Sequence, residues 1–155
     1  MIAEYEDSQR PALYEAPRQY GLGQTHKHLP EMAALSGLRH TPVFCPIVAP
    51  YYAGMEVTIP LTPDETSATP EKIRAVYREV YAQGMIRYAE GTDESGFLSA
   101  GAMAGRDSME VSVFGNEERM LLVARFDNLG KGASGAAIQN MNIALGIDEA
   151  EGLVP

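Results

Sequence analysis

Ser108-Met109-Glu110-Val111-Ser112-Val113-Phe114 and Arg119-Met120-Leu121-Leu122-Val123-Ala124-Arg125-Phe126 are separated only by Gly115-Asn116-Glu117-Glu118. Two apolar runs of strand length joined by a short polar link containing glycine read as a β-hairpin. Met120 to Ala124 is continuously apolar, which predicts a central strand buried on both faces.

Upstream of the hairpin, Met55-Glu56-Val57-Thr58-Ile59-Pro60-Leu61 follows Gly54 and alternates. This predicts a strand with Met55, Val57, Ile59 and Leu61 on one face. Residues 62–69 read as a loop. Thr69-Pro70-Glu71 opens a helix, with a capping hydroxyl and then proline at the first helical position. Ile73, Val76, Tyr77, Val80 and Tyr81 follow at helical spacing, the tyrosines reading as core packing, and Gly84 closes the run. Met85–Tyr88 reads as a short strand, and 89–107 as a long loop rich in Gly, Ala, Ser and Asp. Downstream, Asp127-Asn128-Leu129-Gly130-Lys131-Gly132-Ala133-Ser134-Gly135 leads into a helix from about Ala133 to Leu145, closed by Gly146. Gly135, Ala136, Ala137 and Ala144 form its small-residue face; Ile138, Met141 and Leu145 form its apolar stripe.

The first part of the chain is less regular. Residues 1–20 read as a short helical piece and an irregular arm that nothing anchors locally. Gly21-Leu22-Gly23 suits a turn. His26-Lys27-His28-Leu29-Pro30-Glu31 follows, with Pro30 suited to the first helical position. Val43–Cys45 and Ile47–Ala49 are apolar, but Pro42, Pro46 and Pro50 limit them to an edge strand or an extended wall.

Composition bounds the function. One domain is the expectation at 155 residues, and 45% hydrophobic residues suffice for a core. A net charge of -9 argues against nucleic acid and anionic lipid as partners, though a local basic pocket for a small anion stays open. A single cysteine, Cys45, excludes an internal disulfide and suits a reducing compartment. The start lacks signal-peptide character, and no run approaches the ~18 apolar residues of a membrane span. A soluble cytoplasmic protein is the expectation. No repeat and no metal-type Cys/His spacing occur.

Two constellations carry chemistry. The first is His26, His28 and Glu31: imidazoles titrate near neutrality, and a carboxylate can fix a tautomer. At i, i+2 the histidines cannot share a helical face, so one lies on extended backbone. The plainer reading is two exposed loop histidines. The second is Gly130 to Gly135, where glycine N–H groups, a helix start and Lys131 could receive an anion. There the plainer reading is a turn whose small residues permit helix-on-sheet packing. Cys45, with no charged neighbour, reads as a buried, inert thiol.

Together these segments resemble N-acetyl-gamma-glutamyl-phosphate reductases. His26–Glu31 is similar to that family's H-x-H-x-P-E segment, and Asp127–Asn142 to its D-N-L-x-K-G-A-x-G-x-A-x-Q-N-M-N segment. Asp148–Leu153 is similar to its closing residues. The resemblance implies an α+β fold like the C-terminal domain of glyceraldehyde-3-phosphate dehydrogenase. That is a mixed, mostly antiparallel sheet with helices on one face, dimerising through the sheet. It implies NADPH-dependent reduction of an acyl phosphate to N-acetylglutamate 5-semialdehyde in arginine biosynthesis, through a cysteine thiolate. His26 or His28 would be the acid/base, and Glu31 would orient it or contact substrate. Asn128, Gly130, Lys131, Gly132, Ala133 and Ser134 would lie toward the NADP site. A homodimer or higher homo-oligomer is implied.

The departures shape the expectation. No Rossmann fingerprint precedes His26, and Cys45 lies in the wrong segment for the nucleophile. Ala53-Gly54 replaces an Arg-Gly found in many members, leaving a substrate contact there in doubt. Residues 1–155 are therefore expected to be one substrate-binding and dimerisation domain, without the Rossmann domain and inert alone. The alternatives are a non-enzymatic dimeric module retaining an anion pocket, and a small thiol hydrolase built on Cys45 with a histidine.

Overall fold

The computed structural model describes residues 2–91 and 94–155. The chain divides into two compact units, residues 1–51 and 52–155.

In the first unit, α1 (Ile2–Glu6) and a 3-10 turn (Ala12–Glu15) precede β1 (Arg18–Gln19). β1 pairs antiparallel with β2 (Ile47–Val48) in a two-stranded ribbon. The expectation that nothing anchors the arm is corrected. The Arg18 guanidinium lies 3.8 Å from the Tyr14 ring centre, and its Nε donates to the Tyr5 hydroxyl at 3.1 Å. A cation over aromatic faces ties these separate turns together. α2 (His28–Ser36) ends at Gly37, whose φ of 62° is a left-handed cap. β2 falls within the expected extended segment, flanked by Pro46 and Pro50.

The second unit holds the sheet, in the order β3-β6-β5-β4. These are β3 (Met55–Leu61), β4 (Ile86–Tyr88), β5 (Met109–Gly115) and β6 (Met120–Phe126). β6 is antiparallel to both neighbours, whereas β4 runs parallel to β5. The fold is thus α+β with a mixed, mostly antiparallel sheet. The parallel pair explains the long 89–107 segment. Parallel neighbours need a crossover to return the chain to the other end, and this segment is that crossover. Its turns around 100–105 bury Met103; Thr92 and Asp93 lie outside the described residues.

α3 (Pro70–Val80) begins as its capping residues dictate. Thr69 Oγ1 accepts the Lys72 N–H at 3.3 Å, with Pro70 in the first turn. It packs on β5, where Arg74 donates to the Val113 carbonyl at 3.4 Å. Tyr77 contacts Tyr81 and Tyr88 edge-on. The helix ends at Val80, before Gly84.

Burial is uneven along the apolar faces. β6 is central, and both its faces are covered, at Met120 on one and Val123 on the other, while Leu121 at its start is 40% exposed. Val76 and Val80 are exposed, as are Ile138, Met141 and Leu145 of α4 (Gly135–Leu145). Periodicity identifies an apolar face but not what covers it. On β3, Met55, Val57 and Ile59 are also exposed.

Candidate functional site

The histidine pair belongs to the first unit. The Leu29 N–H donates to the His26 carbonyl at 3.0 Å, closing a turn at His26, so α2 begins at His28. Pro30 is consequently the third helical residue, not the first. His26 lies outside the helix and His28 within its first turn, as the i, i+2 spacing requires. The two rings meet edge-on with centroids 4.8 Å apart, and the His28 backbone N–H donates to His26 Nδ1 at 3.3 Å. His26 is half-buried against Phe44 at 5.0 Å and Tyr20 at 5.9 Å. His28 is exposed. Glu31 forms no hydrogen bond with either ring among the described residues.

Gln24 supports the pair, and the sequence reading missed it. Its amide accepts the Phe44 N–H at 2.9 Å and donates to the Phe44 carbonyl at 2.7 Å. This two-point clamp fixes the extended segment whose Phe44 ring meets His26. Gln24 reaches it from a turn residue with φ of 51°, a conformation few non-glycine residues adopt. A long-range amide clamp leaves no periodic trace in a sequence.

The expectation of a buried Cys45 is corrected: it is exposed. Residues 43–46 are extended, so burial alternates, with Phe44 half-buried, Cys45 exposed and Pro46 buried. The alternation turns the thiol away from the side on which Phe44 meets His26. Among the described residues, no group of three or more His, Cys, Asp or Glu side chains could hold a metal ion.

The glycine turn belongs to the second unit, where residues Gly130–Ser134 form a π-helical turn into α4. Its N–H groups are largely spent on the turn itself. Asp127 Oδ1 accepts those of Leu129 at 2.6 Å and Gly130 at 3.0 Å. Gly132 donates to the Asp127 carbonyl at 2.8 Å, Ser134 to Leu129 at 3.1 Å, and Gly135 to Gly130. Asp127 Oδ2 takes the Gly105 N–H at 2.6 Å. The Gly105 bond, then those of Gly130 and Leu129, holds the buried Asp127 carboxyl below its ordinary range.

Close packing explains the glycines. A Cβ at Gly130 would lie 2.5 Å from the Arg106 carbonyl, and one at Gly135 would overlap Asp107 Oδ1. Of the two readings open for this segment, the backbone geometry favours the tight turn. The side chain the turn offers to an incoming anion is the half-buried Lys131, whose Nζ donates to Gln139 Oε1. Asn128 faces the start of β3, its Oδ1 accepting the Gly54 N–H at 2.9 Å.

Gly130-Lys131-Gly132-Ala133-Ser134-Gly135 has the spacing G-x-G-x-x-G between a strand and a helix, so a dinucleotide cradle can be tested directly. It does not fit. That cradle needs a parallel β-α-β unit with free N–H groups at the helix start. β6 is antiparallel to both neighbours, and the N–H groups of Leu129, Gly130, Gly132, Ser134 and Gly135 serve Asp127 and backbone carbonyls of the turn.

A hidden polar cluster braces this region. Arg125 on β6 is buried and donates to Glu110 at 3.0 Å and to Glu94 at 3.5 Å. With the Asp127–Gly105 bond, it fastens the crossover at two points beside the turn.

The family model for the semialdehyde dehydrogenase dimerisation domain matches residues 3–128. The chain belongs to this family. The match spans the histidine pair and ends at Asp127-Asn128. Proteins called N-acetyl-gamma-glutamyl-phosphate reductase from Brucella ovis, Brucella canis and Brucella abortus are each 42% identical over 154 residues. Those alignments cover 94% of this chain and 50% of each relative, so this dimerisation-domain chain spans about half the length of the relatives it matches. No helix among the described residues is long and apolar enough to cross a membrane.

Proposed function

We propose that this chain is the histidine-bearing, dimer-forming half of an N-acetyl-gamma-glutamyl-phosphate reductase. On this reading, a second half carries the Rossmann domain, the NADP cofactor and the nucleophilic thiol. The observation that supports it most is the 42% identity to proteins of that name over 94% of the chain. The reaction is reduction of N-acetyl-glutamyl 5-phosphate to the semialdehyde in the cytoplasm, as a step of arginine biosynthesis. The chain alone is inert, because the described residues form no dinucleotide cradle.

The chain's own chemistry is proton handling, and hydrogen bonding divides it between the histidines. His26 Nδ1 accepts a backbone N–H, so the neutral ring carries its proton on Nε2 and has no free lone pair. His28 has no such commitment and is exposed. We assign His28 as the acid/base that takes the thiol proton during attack on the acyl carbon. His26 is its positioning neighbour. Glu31, one helical turn beyond His28, is free to contact substrate or to orient the imidazole once the second half is present. Asn128 and the turn from Gly130 to Ser134 face the cofactor side, and Lys131 supplies charge toward an anionic group.

Dimerisation uses the exposed β3 residues Met55, Val57 and Ile59. An exposed apolar row on a sheet edge calls for a partner. The test is reconstitution: the purified chain is mixed with the cofactor-binding half of a Brucella reductase, and NADPH oxidation is followed with N-acetyl-glutamyl phosphate. Turnover only in the mixture supports the proposal. Turnover by the chain alone, or none in a mixture whose halves associate, overturns it.

A further inference from the structure

A three-member relay runs behind the glycine turn. Lys131 Nζ donates to Gln139 Oε1, and Gln139 Nε2 donates to Glu149 Oε2 at 2.8 Å. The relay fixes the amide's orientation, since only this one satisfies a cation at one end and a carboxylate at the other. Glu149 is itself held in place. The buried Asn142 donates to the Glu149 and Glu151 carbonyls at 3.2 and 2.9 Å, and Gly84 packs against the Glu149 carboxylate.

What the relay omits is as informative. Among the described residues no carboxylate forms a salt bridge with Lys131. A neutral amide fixes the ammonium in space and leaves its charge uncompensated, whereas a carboxylate in the same place would hold it equally well and cancel it. Glu149 polarises the amide from the far side without reaching the lysine.

We infer that Gln139 is a positioning residue that holds Lys131 as an unneutralised cation for a tetrahedral dianion. This rests on the reading of Lys131 as facing an anionic group in the reductase site. The dianion's chemistry is that of a phosphoryl group, from the acyl phosphate or the cofactor.

The test compares two substitutions of similar shape in the full chain. Gln139→Glu converts the amide to a group that can neutralise Lys131; Gln139→Met removes both hydrogen bonds but adds no charge. Sulfate is the probe, because its charge is constant between pH 5 and pH 8, and binding is read from NMR shifts of the Lys131 side chain. Gln139→Glu is expected to weaken sulfate binding about tenfold at pH 8, while Gln139→Met, which frees the ammonium without neutralising it, weakens it by only about threefold. The charged groups in contact with residue 139 are Lys131 and Glu149, while Asp148 and Arg87 share a cleft wall with Glu149. Two carboxyl groups at this spacing resist joint ionisation, so the Gln139→Glu defect shrinks toward pH 5. Equal losses for the two variants, or a defect independent of pH, overturn the inference. In the reconstituted enzyme, the KM for acyl phosphate or for NADPH rises in Gln139→Glu, and which one rises identifies the source of the dianion. An active enzyme in which neither KM moves sinks the relay and spares the reductase reading. An inactive mixture with the sulfate effect intact sinks the reading and spares the relay.

Discussion

Replacing Asp127 by asparagine tests how the glycine turn is held. The carboxylate accepts three backbone N–H groups, two on Oδ1 from Leu129 and Gly130 and one on Oδ2 from Gly105. An amide of the same shape keeps one oxygen. Turned toward Leu129 and Gly130 it saves two bonds, but its NH₂ then faces the Gly105 N–H, donor against donor. One charge-assisted bond to the buried residue 127 is lost and the Gly105 N–H faces a donor, which destabilises by about 2 kcal/mol. With a urea slope of about 1.3 kcal/mol/M for a unit this size, the midpoint falls by about 1.5 M at pH 7. The pH dependence has a definite sign. The folded carboxyl is depressed, so its contribution is fully present above the unfolded value of about 4 and vanishes as pH falls through the lowered folded value. The wild type should therefore lose stability on acidification below about pH 4, and the gap to Asp127→Asn should close there. Urea titrations of both proteins at pH 7 and pH 3 decide it. An equal gap at both pH values, or none at pH 7, refutes the account of the turn.

Other outcomes follow from single contacts. Gly135→Ala forces a methyl onto Asp107 and should cost about 3 kcal/mol by thermal or urea unfolding. Gln24→Ala releases Phe44 and should destabilise by about 1–2 kcal/mol, with a loss of the ring-current shift of His26 in NMR spectra. Ile59→Glu places a charge on the exposed row of β3, and sedimentation should then find monomer where the unaltered chain is a dimer.

What was legible in the sequence was what local rules write into it. β3 and the β5–β6 hairpin came from alternation and a glycine link, and the start of α3 came from Thr69 and Pro70. Long-range choices were not legible. Pro30 reads locally as a helix start, but the Leu29–His26 bond opens the helix earlier. Cys45 reads as buried from its apolar neighbours, but an extended chain alternates and Phe44 takes the inward side. The 89–107 segment reads as a loop because its cause, the parallel pairing of β4 with β5, is topological. Arg125, Asp127 and Gln24 act on partners 15 to 31 residues away, as in Arg125–Glu110, Arg125–Glu94, Asp127–Gly105 and Gln24–Phe44. No period in the sequence records such pairs. The G-x-G-x-x-G spacing at Gly130 shows the converse: a pattern whose context, an antiparallel strand and an internal carboxylate, gives it a different use.

The proton is assigned to His28 rather than His26. In the reconstituted reductase, kcat for N-acetyl-glutamyl phosphate reduction is measured for His28→Ala and His26→Ala. Loss of a general acid/base predicts a fall of about 10²–10⁴-fold for His28→Ala, with a clearly smaller fall for His26→Ala. A His28→Ala enzyme that keeps its kcat, or an order reversed between the two histidines, would contradict it.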